Sequence, residues 1–143
     1  MTLSEKKNNT PTLNNRKAYH EYTIMETFEA GISLQGTEVK SLRAGKANFT
    51  DAFAFVSGEE VWLKELYISS YDQGSYMNHE PKRDRKLLLH KNEIRTLDKG
   101  VQQKGHTIVP LKLYFVRGKA KLQIGLAKGK KLYDKRDSIK EKD

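Results

Sequence analysis

Apolar residues recur at alternate positions along several stretches of this chain, and turn-forming residues separate those stretches. Tyr22, Ile24 and Phe28 alternate with polar residues and predict a strand, bulged near Glu26. Residues 1–15 are polar, with Asn8, Asn9, Asn14, Asn15 and Pro11, and predict a flexible leader, with order beginning near Tyr19. Gly31 and Gly36 then interrupt the alternation, and a short helix follows over 37–45. Thr37 is its expected N-cap, Gly45 its C′ residue, and Val39 and Leu42 its apolar edge. Phe49, Asp51, Phe53 and Phe55 share one face of a second strand, with Thr50, Ala52, Ala54 and Val56 on the other. Ser57-Gly58-Glu59-Glu60 reads as a hairpin connection into a third strand over 61–68, whose run Val61-Trp62-Leu63 predicts burial on both faces. Residues 69–81 form a long irregular connection. Leu87-Leu88-Leu89 leads into a helix over 91–103, with Ile94, Leu97 and Val101 on one stripe and Gly105 as its stop. Val109, Leu111, Leu113 and Phe115 line a fourth strand. Arg117-Gly118-Lys119 is a turn, and Leu122, Ile124 and Leu126 line a fifth.

Two strand pairs are joined by tight turns, whereas parallel strands need a crossover connection. About five antiparallel strands with short helices between them predict a mainly β fold: a small OB-type barrel with short flanking helices. After Leu126 the apolar periodicity stops. Residues 128–143 hold seven Lys/Arg and four Asp/Glu, a net of +3, which predicts a basic C-terminal tail that is disordered when free. Tyr133 sits within it between Lys131 and Lys135, a mixture of cations and ring suited to folding onto RNA; a solvated terminus is the plainer reading. The expected organisation is a leader over 1–15, one barrel domain over 16–127 and a tail over 128–143. There is no internal repeat.

Charge changes this picture more than size does. A net charge of +9 on 143 residues suits a polyanionic partner, either nucleic acid or an anionic membrane. With no cysteine, disulfides, thiolate metal sites and thiol nucleophiles are excluded. No apolar run approaches the roughly 18 residues of a membrane span, and the N-terminus carries no apolar signal core. A cytoplasmic protein with no membrane partner is the expectation.

The candidate chemistry follows the charge. Between Lys82 and Lys104 lie eight Lys/Arg against Asp84, Glu93 and Asp98, a net of +5 that could neutralise several phosphates or simply solvate a helix face. Asn15-Arg16-Lys17-Ala18-Tyr19-His20-Glu21-Tyr22 mixes amides, cations and rings, the groups that stack on bases and read their edges; an ordinary strand edge is the alternative. The histidines His20, His79, His90 and His106 include no i,i+4 pair, so no metal site is expected. Residues 125–131, Gly-Leu-Ala-Lys-Gly-Lys-Lys, lack the spacing of a phosphate loop and no helix pattern follows them. Nothing points to a catalytic triad, a paired-carboxylate site, a cofactor or a small-molecule substrate.

Several stretches stand in a distinctive order. They are His20-Glu21-Tyr22, Phe28-Glu29-Ala30-Gly31-Ile32, the run from Gly36 through Thr37-Glu38-Val39-Lys40-Ser41-Leu42-Arg43 to Ala47, Arg85-Lys86-Leu87-Leu88-Leu89, and 125–131. Together they resemble the small protein B family of SsrA-binding proteins, over about residues 15–140. The resemblance implies a non-enzymatic adaptor that binds the tRNA-like domain of transfer-messenger RNA. With elongation factor Tu and GTP, the adaptor brings the alanyl RNA to stalled ribosomes for trans-translation. It further implies that Asn15, Arg16, Lys17, His20 and Tyr22 lie at or near the RNA-facing surface, and that Glu29 is a carboxylate important for that RNA. The helix carrying Glu38, Lys40, Ser41 and Arg43 would support the same face, as would Lys86 and Leu88, although a core role for Leu88 is as well supported. Lys128, Gly129, Lys130, Lys131, Tyr133, Asp134, Lys135 and Arg136 match the family's ribosome-engaging tail, expected in the vacant decoding centre among ribosomal RNA phosphates. Family tails continue as a longer basic helix, whereas this sequence stops at Asp143, as a short protein or a trimmed one would. The residues alone reach only a basic barrel that binds RNA. A generic single-strand-binding OB module, a nuclease or RNA-modifying enzyme, and a structural ribosome-associated protein are the competing readings.

Overall fold

The computed structural model describes residues 12–71 and 78–130. Its first elements are ones that periodicity does not announce: a two-residue strand, β1 (Leu13–Asn14), and the helix α1 (Arg16–Glu21). Asn15 makes that helix possible. Its side chain accepts from the Ala18 N–H at the open helix end and donates through Nδ2 to the Pro110 carbonyl at 2.7 Å, docking the helix on the sheet. Strand β2 (Tyr22–Ile32) follows, then α2 (Gly36–Arg43), β3 (Ala47–Asn48), β4 (Phe53–Ser57), β5 (Glu60–Lys64), β6 (Tyr67–Ile68), β7 (Arg85–Leu88), α3 (Lys91–Lys104), β8 (Thr107–Val116) and β9 (Lys119–Gly129).

Six of these strands close a ring in the order β8-β4-β5-β7-β2-β9 and back to β8, every pairing antiparallel. The expected mainly β barrel is present, but it is uneven. The ladders β2–β9 and β8–β9 run along whole strands, while β4 meets β8 only at Ala54↔Ile108. β7, hidden in the cationic run from Arg85, makes the ring six-stranded rather than five. The third strand does not run unbroken over 61–68. Glu65 takes a left-handed φ of 62°, and the chain leaves β5 to pair β6 with β3. Val61 and Leu63 point into the core while Trp62 is half-buried outside, so alternation holds there after all. The second strand likewise begins only at Phe53, after a turn closed by the Ala52 N–H on the Phe49 carbonyl. β9 extends to Gly129, so Lys128 and Gly129 pair with Thr23 and Tyr22 as part of the sheet.

The interior of the ring is filled by Phe28, Ala30, Ile32, Val61, Leu63, Leu87, Ile108, Leu113, Leu122 and Ile124, with Leu42 and Leu97 plugging from the helices. A second apolar patch lies outside the ring. Ala18 of α1 covers Val109, Leu111 and Ala127, flanked by Tyr22 and Ile24. One residue makes this possible. The register skips from Ile24↔Ala127 to Glu26↔Leu126, a bulge at Met25 that turns Tyr22 and Ile24 away from the face shared by Phe28, Ala30 and Ile32.

Candidate nucleic-acid interface

Along the β8–β9–β2 sheet, one face packs the core and the other carries polar side chains at every second position. Register places Gly31 beside Lys121 and Lys121 beside Tyr114; one step along, Glu29 lies beside Gln123 and Gln123 beside Lys112. Leu88 of β7 adjoins this surface opposite Gly31 and is 55% exposed. Its Cβ and Cδ1 lie 3.4 and 3.5 Å from where a Gly31 side chain would begin, so the bare backbone of Gly31 gives Leu88 its seat. Beside it is an open depression of about 390 Å³ lined by Gly31, Ile32, Leu34, Val39, Leu88, Lys119, Ala120 and Lys121. It has an apolar floor and a cationic rim, a form suited to an unstacked base and its phosphates. Tyr114 donates its hydroxyl to Oε2 of Glu29, and Lys112 lies over the Tyr114 ring at 5.6 Å. Burial, together with the hydrogen bond and charge of Glu29, pushes the Tyr114 phenol up to about 12.

A second group gathers at the far end of β2. Asn15, Lys17, Glu21 and Tyr22 line a depression of about 380 Å³ shared with Phe49, Asp51, Phe53, Thr107 and Val109. Arg16 and His20 are exposed on the same helix. Lys17 reaches Glu21 one turn on at 4.0 Å. Phe53 stands 42% exposed at the rim. Tyr22 and Glu29 pair with Gly129 and Gln123, which are six residues apart on β9, so the two stand about 20 Å apart along the sheet.

The helix α2 divides its candidates. Glu38 and Ser41 are buried and cannot touch a partner directly; what remains for them is support. Glu38 closes a capping box on the Gln35 N–H at 2.8 Å, so Gln35 rather than Thr37 is the N-cap. Its carboxylate also receives Arg83 (2.7 Å) and Arg85 (2.6 Å), the latter wholly buried. Burial alone would raise the Glu38 carboxyl. The bonds from Arg83 and Gln35 and the Arg85 charge outweigh it and hold the group below its ordinary range. Thr37 instead faces His79. Nε2 of His79 donates to the Ile68 carbonyl at 2.9 Å, so in the neutral ring Nδ1 accepts from the Thr37 hydroxyl at 2.8 Å. Ser41 donates to the Ser69 carbonyl. Lys40 and Arg43 are exposed, over the rings of Tyr71 and Phe115.

The dense cationic run from Lys82 is mostly engaged within the protein. Lys82 lies near Asp51 and Glu65, Arg83 and Arg85 bind Glu38, and Lys86 binds Glu60 at 2.8 Å. The bond from Lys86 holds the Glu60 carboxyl below its usual range. Lys112, Tyr114, Lys119, Lys121 and Gln123 were not singled out from sequence. The signal was available in β9, where Lys119, Lys121 and Gln123 alternate with core residues. Lys130 follows the sheet, its N–H on the Glu21 carbonyl at 2.8 Å. Lys131, Tyr133, Asp134, Lys135 and Arg136 lie outside the described residues.

A closed antiparallel ring with a basic, aromatic outer sheet defines a binding protein of the nucleic-acid class. The family model for SmpB protein matches residues 12–143, and the chain belongs to that family. It is 59% identical to an SsrA-binding protein of Desulforudis audaxviator (strain MP104C) over 87% of this chain and 82% of that protein. It is 60% identical to one of Halalkalibacterium halodurans over 90% of this chain and 84% of the relative. A solved structure described as "tmRNA-SmpB: a journey to the center of the bacterial ribosome" matches with a TM-score of 0.72 and 59% identity, covering 85% of this chain and 86% of that one.

Proposed function

We propose that this protein is a non-enzymatic RNA-binding adaptor. It binds the tRNA-like domain of transfer-messenger RNA, joins the alanyl RNA with elongation factor Tu and GTP, and brings it to stalled ribosomes for trans-translation in the bacterial cytoplasm. The observation that carries this reading is the outer sheet face of Glu29, Tyr114, Lys112, Lys121 and Leu88, on a chain whose solved relative is described with that RNA and the ribosome. Among the described residues no helix is long and apolar enough to cross a membrane.

Glu29, Leu88, Lys40, Arg43 and Lys86 belong to one RNA-facing surface in this reading, and Asn15, Arg16, Lys17, His20 and Tyr22 to another about 20 Å along the sheet. Glu38 and Ser41 hold the elements between them. Lys130, Lys131, Tyr133, Asp134, Lys135 and Arg136 engage the vacant decoding centre, following Lys128 and Gly129 out of the sheet.

Titration against the tRNA-like domain, an ordinary elongator tRNA and an unstructured RNA of equal length, at two salt concentrations, tests the assignment. Preference for the first that persists at the higher salt is the expected result. Equal binding to all three, lost together as salt rises, would leave only a basic surface.

A further inference from the structure

Glu29 is a lone carboxylate on a cationic face. Its neighbours in register are Gln123 and, one strand further, Lys112; Lys121 stands one step along β9. A carboxylate there would ordinarily collapse onto a lysine. Among the described residues the partner found for it is neither lysine but the Tyr114 hydroxyl. Glu29 is on β2 and Tyr114 on β8, with β9 between them. The hydrogen bond therefore passes diagonally over β9, between the stems of Lys121 and Gln123. Lys112 covers the Tyr114 ring, which keeps that cation on the aromatic face.

We propose, resting on the functional reading above, that Tyr114 is a positioning residue that sets the specificity of RNA binding by fixing the orientation of Glu29. The phenol occupies Oε2 and leaves Oε1 as a free, oriented acceptor. Such an acceptor takes an N–H of a base edge or a ribose 2′-OH and rejects a phosphate. The same bond keeps Glu29 from neutralising Lys112 or Lys121, so both cations stay available for phosphates. Tyr114 thus separates one discriminating group from two that only attract.

The test uses the full chain, as Tyr114→Phe, Glu29→Gln and the double variant, against the tRNA-like domain and an unstructured RNA. The contact itself is read first, by following phenolate absorbance of wild type against Tyr114→Phe, which isolates this ring among seven tyrosines. The Tyr114 phenol should titrate near 12 and shift toward its ordinary value in Glu29→Gln. Tyr114→Phe should weaken binding of the tRNA-like domain roughly tenfold, the worth of one hydrogen bond to a charged group. Its thermal midpoint, its binding of unstructured RNA and its salt slope should stay unchanged. In the Glu29→Gln background the same substitution should cost nothing further.

Preference of the wild type for the tRNA-like domain with no loss in Tyr114→Phe overturns the positioning role alone. So does an additive loss in the double variant. Absence of preference in the wild type overturns the functional reading itself, and the positioning role falls with it. If Tyr114→Phe melts early, Glu29→Gln decides. A tenfold loss there with an unshifted phenol overturns the link between the two residues, and a loss with a shifted phenol supports it.

Discussion

Glu38 carries a charge in a place that water does not reach, and two arginines share it. Removing one member of such a group strands the others, which costs far more than the pair contributes over an apolar replacement. Glu38→Gln should therefore destabilise the fold by about 3 kcal/mol, because it leaves the wholly buried Arg85 without its counter-charge. The pH dependence has a definite sign. The folded Glu38 carboxyl lies below its ordinary value of 4.5, so its contribution is complete above that pH and is lost as pH falls through the lowered folded value. Urea unfolding from pH 7 to pH 2.5 should show the wild type losing stability steeply below about pH 4.5 and Glu38→Gln less steeply. A parallel fall in the two proteins would show that Glu38 is not the group responsible. Arg85 is the first residue of β7, so the same carboxylate anchors the strand that carries Lys86 and Leu88.

At the scale of elements, the hairpin between β8 and β9 turns on two residues with left-handed backbone, Arg117 at φ 52° and Gly118 at φ 81°. Such turns favour Asn-Gly, and Arg is strained at the first position. Arg117→Asn should raise stability by up to about 1 kcal/mol, read as a higher thermal midpoint with RNA binding unchanged. The turn was legible in sequence, as were the bulge near Glu26, the αL stop of α3 at Gly105 and the alternation of β8 and β9. β7 was not, because Arg85 and Lys86 look like solvent-facing cations and only the fold shows Arg85 buried beneath α2. α1 escaped notice because it is short and rests on one cap and a docking bond to Pro110, a contact 95 residues away in the chain. The apparent two-sided burial of Val61-Trp62-Leu63 was misleading, since Trp62 covers the outer surface as a large half-exposed ring. The face around Glu29 was legible only in part. Alternation assigns Lys121 and Tyr114 to strands, but the crossing of β9 that joins Tyr114 to Glu29 depends on three-dimensional register.

For the whole molecule, the count of 27 Lys and Arg overstates what is free to meet a polyanion. Lys82, Arg83, Arg85 and Lys86 already answer acids of the same chain, so the cations of the outer sheet should dominate the salt dependence. Replacing both Lys112 and Lys121 by Gln should reduce the slope of log affinity against log salt by about 1.5 to 2, whereas Lys86→Gln should change it by much less. Titrations from 50 to 300 mM salt check this, and equal slope changes would mean that the Glu60–Lys86 bond opens in the complex. The bulge at Met25 has a consequence of another kind. Strand β2 is read in two frames, one before Met25 and one after, and the single extra residue converts one into the other. Were the same residues to pair in one unbroken ladder, Tyr22 and Ile24 would turn onto the core face with Phe28, and the seat of α1 would vanish with no contact residue altered. Deletion of Met25, by contrast, should let Ile24↔Ala127 run straight into Glu26↔Leu126 and leave Tyr22 and Ile24 beneath α1.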